Sequence, residues 1–343
     1  MVKWARVEDS RAMLDRFGVT FDWRGASIDA ITAIAKQADE SGYGYLCIPE
    51  AWGLEAFSTV GHLLNVTKKI KIGTGVINVY SRSAATIAMG CTTLNQLAPG
   101  RFFLGLGTSG RALIEGWHGV KFERSLQRTK EYVEVIRMIL RGQEVGYDGE
   151  VLELGRFRLF ASPPKNEIEI YLGAIGERNL ALAGMIASGA IVALYPISKL
   201  DKCIRAVNGN GGAKKVFAYL PVQIANSTSE VDLAQAELSR YVAFYIVSMG
   251  KYYAQNLSNL GFGRQVNEVL GVASSRGSKQ AASAIRPGFL EEFCLIGSLE
   301  EILERVSKLP EQVYPVFGTK ATSLEEAFAS SKLLTEIAAL RTR

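Results

Sequence analysis

The chain of 343 residues lacks the marks of several large protein classes. No window approaches ~18 uninterrupted apolar residues, so no membrane-spanning helix is expected. The opening MVKWARVEDSRAML breaks every apolar stretch with charge and shows no cleavage pattern. No secretory leader is therefore expected, and a cytoplasmic location is. The four cysteines, Cys47, Cys91, Cys203 and Cys294, are too scattered for a CxxC pair and read as core thiols. Two histidines, His62 and His118, are too few for a three-histidine metal site, and no metal is expected. The net charge of +5 comes from Lys and Arg spread along the chain without a block. That argues against nucleic acid and leaves a mild pull on an anionic small molecule.

What is present is a large core: 48% hydrophobic residues against 21% charged. The length suits one α/β barrel of roughly 250 residues plus insertions, so a single domain over 1–343 is expected. After an amino-terminal extension at 1–15, strand-like and helix-like segments alternate. Phe17 to Phe21 reads as a strand and Ile28 to Glu40 as a helix, with Ser27 as its cap, an apolar stripe at helical spacing and Gly42 as its stop. Further strands are expected near 45, 70, 101, 168, 190, 216 and 313, with the third running from Ile70 to Ile77 and the fourth from Arg101 to Gly107. A long helix is expected from Phe122 to Leu140. Asp148-Gly149 within β-forming residues predicts a hairpin near 144–160. Residues 230–290 break the rhythm and read as a helical insertion, either a cover over the barrel mouth or a packing extension. A parallel sheet with long crossovers is a barrel or an open doubly wound sheet, and rhythm does not separate the two.

In both architectures ligands gather at the carboxyl ends of the strands, and four segments there carry chemistry. In Ile48-Pro49-Glu50-Ala51-Trp52, Glu50 is either a ligand for a cofactor or substrate or a helix-capping acid, and Trp52 either a flat wall or a loop anchor. In the segment Gly73-Thr74-Gly75-Val76-Ile77-Asn78, the glycines serve either close approach to a planar ring or a crowded barrel turn. Gly105, Gly107 and Gly110 give G-x-G-x-x-G around Thr108 and Ser109, but no helix with the expected acidic partner is read after them, and a dinucleotide site is disfavoured. In Gly173-Ala174-Ile175-Gly176, small residues open a helix whose first N–H groups suit a phosphate.

The run RSAATIAMGCTTLNQLAPGRFFLGLGTSG, residues 82–110, resembles the bacterial luciferase-like monooxygenase superfamily. Glu115, Gly119, Phe122, RTKEYVEVIRMILRGQEVGYDGE and EIYLGAIGERNLALAG extend the likeness. The phrase IPEAWG is similar to the F420-dependent oxidoreductase branch, whose methylenetetrahydromethanopterin reductase-like members this chain resembles most in outline. The likeness runs from about 16 to 317 and is weakest over 230–290. It implies an α/β fold of the TIM (β/α)8 barrel type with insertions. It also implies coenzyme F420 as cofactor, with FMN as the alternative, hydride exchange with an unidentified small organic molecule, and a homodimer. Cofactor contacts are implied at Glu50, Trp52 and Thr74, at Gly75, Val76 and Asn78, along Gly107, Thr108, Ser109 and Gly110, along Gly173, Ala174, Ile175 and Gly176, and at Leu194. The Gly75–Val76 peptide is expected to be cis. Glu50 and Glu115 are the candidate catalytic acids. Two departures stand out: Ala51 follows Glu50 where several relatives have histidine, and Gly110 stands where the sugar-phosphate dehydrogenases have glutamate. Histidine-based alcohol oxidation is therefore not expected. An FMN-dependent monooxygenase and a non-catalytic flavin-binding homologue are the alternatives.

Overall fold

The computed structural model describes residues 14–209 and 212–339. Nearly all of the expected amino-terminal extension lies outside the described residues. The strands in chain order are β1 (Gly18–Phe21), β2 (Tyr45–Ile48), β3 (Lys71–Thr74), β4 (Ile77–Asn78), β5 (Phe102–Gly107), β6 (Val145–Asp148), β7 (Glu153–Phe157), β8 (Ile170–Gly173), β9 (Gly189–Ala193), β10 (Lys215–Ile224), β11 (Leu295–Gly297) and β12 (Val313–Thr319). Parallel pairing runs β1-β2-β3-β5-β8-β9-β10-β12 and returns to β1, which closes a barrel. At the closure Val216 of β10 lies between Ala190 of β9 and Val313 of β12. All eight expected barrel strands are present.

Several helices begin where the sequence supplies a capping side chain. Helix α1 (Ile28–Ser41) starts at Ser27, whose side chain accepts from the Ala30 N–H, and stops at Gly42 in the left-handed region. Helix α2 (Ala56–Val66), for which no element was expected, is capped by Glu55, whose carboxylate accepts from Phe57 and Ser58. Next come α3 (Ala84–Leu97), α4 (Arg111–Gly116) and α5 (Ser125–Leu140). Helix α5 starts three residues later than expected, after Arg124, which reverses the chain at φ 50°. Around the rest of the barrel are α6 (Glu177–Ile186) and α7 (Leu200–Asn208). A helical segment then rises over it: α8 (Thr228–Ser248), α9 (Lys251–Leu257), α10 (Gly263–Arg276) and α11 (Pro287–Leu290). Helices α12 (Leu299–Ser307) and α13 (Leu324–Ala339) complete the chain.

Three details differ from the sequence expectation. The expected strand from Ile70 to Ile77 is divided at Gly75–Val76, a cis peptide, and β3 and β4 each pair with β5. Helix α4 opens directly on Gly110, where no helix was expected. The run near 293, which the sequence suggests is an approach to the last helix–strand unit, is a parallel strand of its own, β11. Strand β10 is ten residues long, and its end, beyond β9 and most of β12, pairs with β11.

The barrel is filled from below. Tyr45, Phe103, Tyr171 and Phe217 form an aromatic floor inside it, with the Tyr45–Phe217 and Tyr171–Phe217 centroids each 4.8 Å apart, edge to face. At the amino ends of the strands Glu169 accepts from Lys215 Nζ at 2.8 Å, from the Tyr171 hydroxyl at 2.8 Å and from Lys71 Nζ at 3.2 Å. This packed floor fills the barrel interior below its upper end. Outside the barrel, β6 and β7 pair as the expected antiparallel hairpin. Its turn is held by the buried Glu131 carboxylate of α5, which accepts from the N–H groups of Glu150, Val151 and Leu152. Helices α8 to α11 have a core of their own, including Leu238, Val242, Leu257 and Phe293.

Candidate active site

A cavity of about 1110 Å³ opens at the carboxyl ends of the strands. Its barrel side includes three small-residue segments: Gly75 and Val76, Gly107 to Gly110 and Gly173 to Gly176. Its roof is made of side chains from α8 and α9, among them Tyr241, Phe244, Tyr245 and Tyr253. The segment expected either to cover the mouth or only to pack against the barrel lines the cavity and also has its own core.

The glycines of the barrel side divide into two kinds. A Cβ on Gly73 would lie 2.2 Å from the Phe103 carbonyl oxygen, and one on Gly75 would lie 2.2 Å from the Tyr219 hydroxyl. These two are required by barrel packing. Gly107 and Gly173 both lie against Val76, whose side chain fills the space a Cβ would need. Gly176 is different, since a Cβ there would meet nothing within 4 Å. It is the N-cap of α6 and no side chain caps that helix. Among the described residues no protein group accepts from the N–H groups of Gly176, Glu177 or Arg178. The Ala174 N–H is not free, because it donates to Ile191 O at 3.0 Å. The anion-binding capacity of this corner therefore sits at Gly176 and the first turn of α6.

Glu50 borders the cavity, and its carboxylate is fully engaged. Arg82 donates to both oxygens at 2.7 Å, and the Ala56 N–H donates to Oε2 at 2.9 Å. Only 9% of the Glu50 side chain and 16% of the Arg82 side chain are exposed. The hydrogen bonds to Glu50 raise the Arg82 guanidinium above its ordinary pKa despite burial, with Glu55 adding to the effect. Glu50 thus acts as a cap on α2 and fixes the loop after β2. Asn78 also serves the backbone, accepting from the N–H groups of Tyr80 at 2.9 Å and Ser81 at 2.7 Å.

Four residues expected at the site do not line the cavity. Thr74 is buried and exchanges hydrogen bonds with the Gly105 backbone, its side chain facing the neighbouring strand. Trp52 is 45% exposed and packs edge-on against Trp23 at 4.3 Å, as a loop anchor. Leu194 is buried in the core of the helical segment. Glu115 pairs with Arg111 on α4 and accepts from the Phe122 N–H, so the structure gives it no position from which to act in the cavity.

Residues that motif reading missed supply much of the site. The Tyr219 hydroxyl donates to Gly75 O at 2.9 Å from across the barrel. Burial pushes the Tyr219 phenol far above its usual pKa and the neighbouring Cys47 thiol up to about 12. Arg24, hydrogen-bonded to Asp22, places its guanidinium 4.8 Å from the Phe244 ring centre. These contacts join strands and helices far apart in sequence, and no local pattern announces them.

A parallel eight-stranded barrel with a glycine-rich mouth, open N–H donors at one helix start and an aromatic roof defines a small-molecule-binding (β/α)8 protein. The luciferase-like monooxygenase family model matches residues 13–313, and the chain belongs to that family. It is similar to a putative coenzyme F420-dependent oxidoreductase of Mycobacterium tuberculosis, 26% identical over 293 residues, covering 79% of this chain and 84% of the relative. It is also similar to the 5,10-methylenetetrahydromethanopterin reductase of Archaeoglobus fulgidus, 28% identical over 284 residues, covering 80% and 84% of the two chains. Among solved structures, the coenzyme F420-dependent tetrahydromethanopterin reductase of Methanopyrus kandleri superposes with a TM-score of 0.78 at 20% identity, covering 95% of this chain and 99% of that one, which establishes the shared fold.

Proposed function

We propose that the protein is an F420-dependent oxidoreductase acting on a small organic substrate. The observation that carries this reading is the pairing, in one cavity, of the Gly75–Val76 segment with Gly176 at the start of α6, whose first N–H groups have no protein acceptor among the described residues. The first suits a planar ring, and the second suits the phosphate of its side chain. Relatives named for F420 dependence support the same choice. The cavity of about 1110 Å³ has room for a cofactor and a substrate together.

The bound deazaflavin supplies a carbon centre that gives or takes a hydride. The protein's own share is positional. Val76, Gly107 and Gly173 form the surface that carries the ring, and Tyr219 holds the Gly75 carbonyl in place. Thr108, Ser109 and Gly110, in the loop after β5, border the side chain of the cofactor. The N–H groups at the start of α6 hold its phosphate. Glu50 acts through Arg82 and α2 by fixing the loop beside the ring. Helices α8 and α9 exclude water from the face where substrate sits. The described chain is read as one domain, with the 144–160 hairpin and the 230–290 helices as insertions. A homodimer in the cytoplasm belongs to the same reading; the four buried free cysteines are compatible with a reducing compartment.

Titration of the purified protein with F420 and, separately, with FMN tests the assignment. Saturable micromolar binding of F420 with much weaker binding of FMN is the expected result. Preference for FMN would transfer the chain to the monooxygenase reading, and binding of neither would leave a non-catalytic homologue.

A further inference from the structure

The roof of the cavity is unlike the small-residue segments of its barrel side. Helix α8 sends Tyr241, Phe244 and Tyr245 into it, and α9 adds Tyr253. The rings form a continuous set: Tyr241 to Tyr245 at 4.8 Å, Phe244 to Tyr245 at 6.0 Å edge-on, and Tyr245 to Tyr253 at 5.0 Å edge-on. Tyr245 and Tyr219 border the same cavity, Tyr245 from α8 and Tyr219 from β10. The Arg24 guanidinium, 4.8 Å from the Phe244 ring centre, is paired with Asp22, and Arg240 of α8 also borders the cavity.

The polar atoms of this set are open to a ligand. Among the described residues the hydroxyls of Tyr241, Tyr245 and Tyr253 make no hydrogen bond to protein and none is a sealed polar atom; Tyr253, on α9, stands at the end of the ring series. A phenol facing a cavity without a protein partner is a donor available to a ligand. Edge-to-face rings arranged around a slot favour a flat π-system over a flexible or branched one. We propose that Tyr245, Phe244 and Tyr253 form the substrate subsite, and that it takes a planar ring-bearing molecule whose carbonyl oxygen accepts from the Tyr253 hydroxyl. This rests on the cofactor reading above only in assigning the remaining cavity space to the cofactor.

Two planar probes separate the ring from the hydroxyl. Coumarin carries a carbonyl acceptor, and naphthalene has a similar plane without one. F420 affinity is measured first on wild type and Tyr253→Phe. Each probe is then titrated into the F420-loaded protein and, in parallel, into the protein alone. The subsite predicts that Tyr253→Phe weakens coumarin about fivefold to tenfold, as expected for one hydrogen bond, and leaves naphthalene and F420 unchanged. Phe244→Ala weakens both probes. Equal coumarin affinity in wild type and Tyr253→Phe, or no coumarin binding, overturns the subsite while F420 binding stands. Failure of F420 to bind overturns the cofactor reading instead, and the coumarin comparison without F420 still decides the subsite.

Discussion

The hydroxyl of Tyr219 donates to the carbonyl oxygen of Gly75 at 2.9 Å, tying β10 to the break between β3 and β4 across the barrel. Tyr219→Phe removes that donor and keeps the ring. The Gly75 carbonyl then loses its partner beside the cofactor wall, at a cost of about 1–3 kcal/mol. F420 affinity is expected to fall severalfold with secondary structure retained, as followed by fluorescence titration and circular dichroism. Wild-type affinity in the variant would show that the bond does not hold the wall.

Gly75 and Gly176 answer to different forces, and paired substitutions separate them. Gly75→Ala drives a methyl group against the Tyr219 hydroxyl and to 2.8 Å from Cys47 Cβ, so it is expected to cost about 1–3 kcal/mol and lower the melting temperature. Gly176→Asp finds open space and leaves the melting temperature near wild type. It places a carboxylate where the phosphate binds, and F420 affinity is expected to fall about tenfold or more. Unchanged affinity in Gly176→Asp would remove the phosphate from the start of α6.

Local signals in the sequence were enough to locate most of the scaffold. Ser27 and Gly42 bracket α1 because their chemistry acts on neighbours three or four residues away. The eight strands follow from apolar runs that must be covered on both faces. Helix α2 escaped notice because its cap is Glu55 and Gly61 interrupts its pattern. In the site, backbone positions such as Gly107 and Gly176 were legible, since small residues at strand ends mark where a ligand can approach. Side-chain direction was less so. Thr74 is one residue from Gly75, yet its hydroxyl is spent on the Gly105 backbone, because successive residues of a strand point to opposite faces. Tyr219, Arg82 and the roof tyrosines enter through tertiary contacts, which a single sequence does not display.

Glu50 and Arg82 form a largely buried bidentate pair, so removing Arg82 strands Glu50, whereas removing Glu50 leaves Arg82 its contact with Glu55. Arg82→Met is expected to cost about 3 kcal/mol, Glu50→Gln less, and the double variant less than their sum. Thermal or urea unfolding of the three proteins measures the coupling. Additive losses would mean that the ion pair does not organise the loop after β2, and would return Glu50 to the list of groups free to act on a ligand.

The floor of the barrel gives a pH signature independent of any ligand. Burial alone would push the Glu169 carboxyl up, but Lys215, Tyr171 and Lys71 together hold it below the ordinary carboxylate range. A group with a depressed folded pKa contributes stability that is complete above its unfolded value, about 4.3 for glutamate, and lost as pH falls through the lower folded value. Glu169→Gln should therefore be less stable than wild type at neutral pH, with the gap closing in the acid limb below about pH 4. Lys215 contributes the opposite limb. Burial works against its charge, yet Glu169 and Tyr45 raise its pKa, so its share is complete below the ordinary lysine value and is lost as pH rises through the higher folded value. Melting temperatures of wild type and Glu169→Gln from pH 3 to 8 provide the measurement. A gap that stayed constant to pH 3 would mean that Glu169 is not charged in the folded barrel, and that its contacts with Lys215 and Tyr171 are those of a neutral acid.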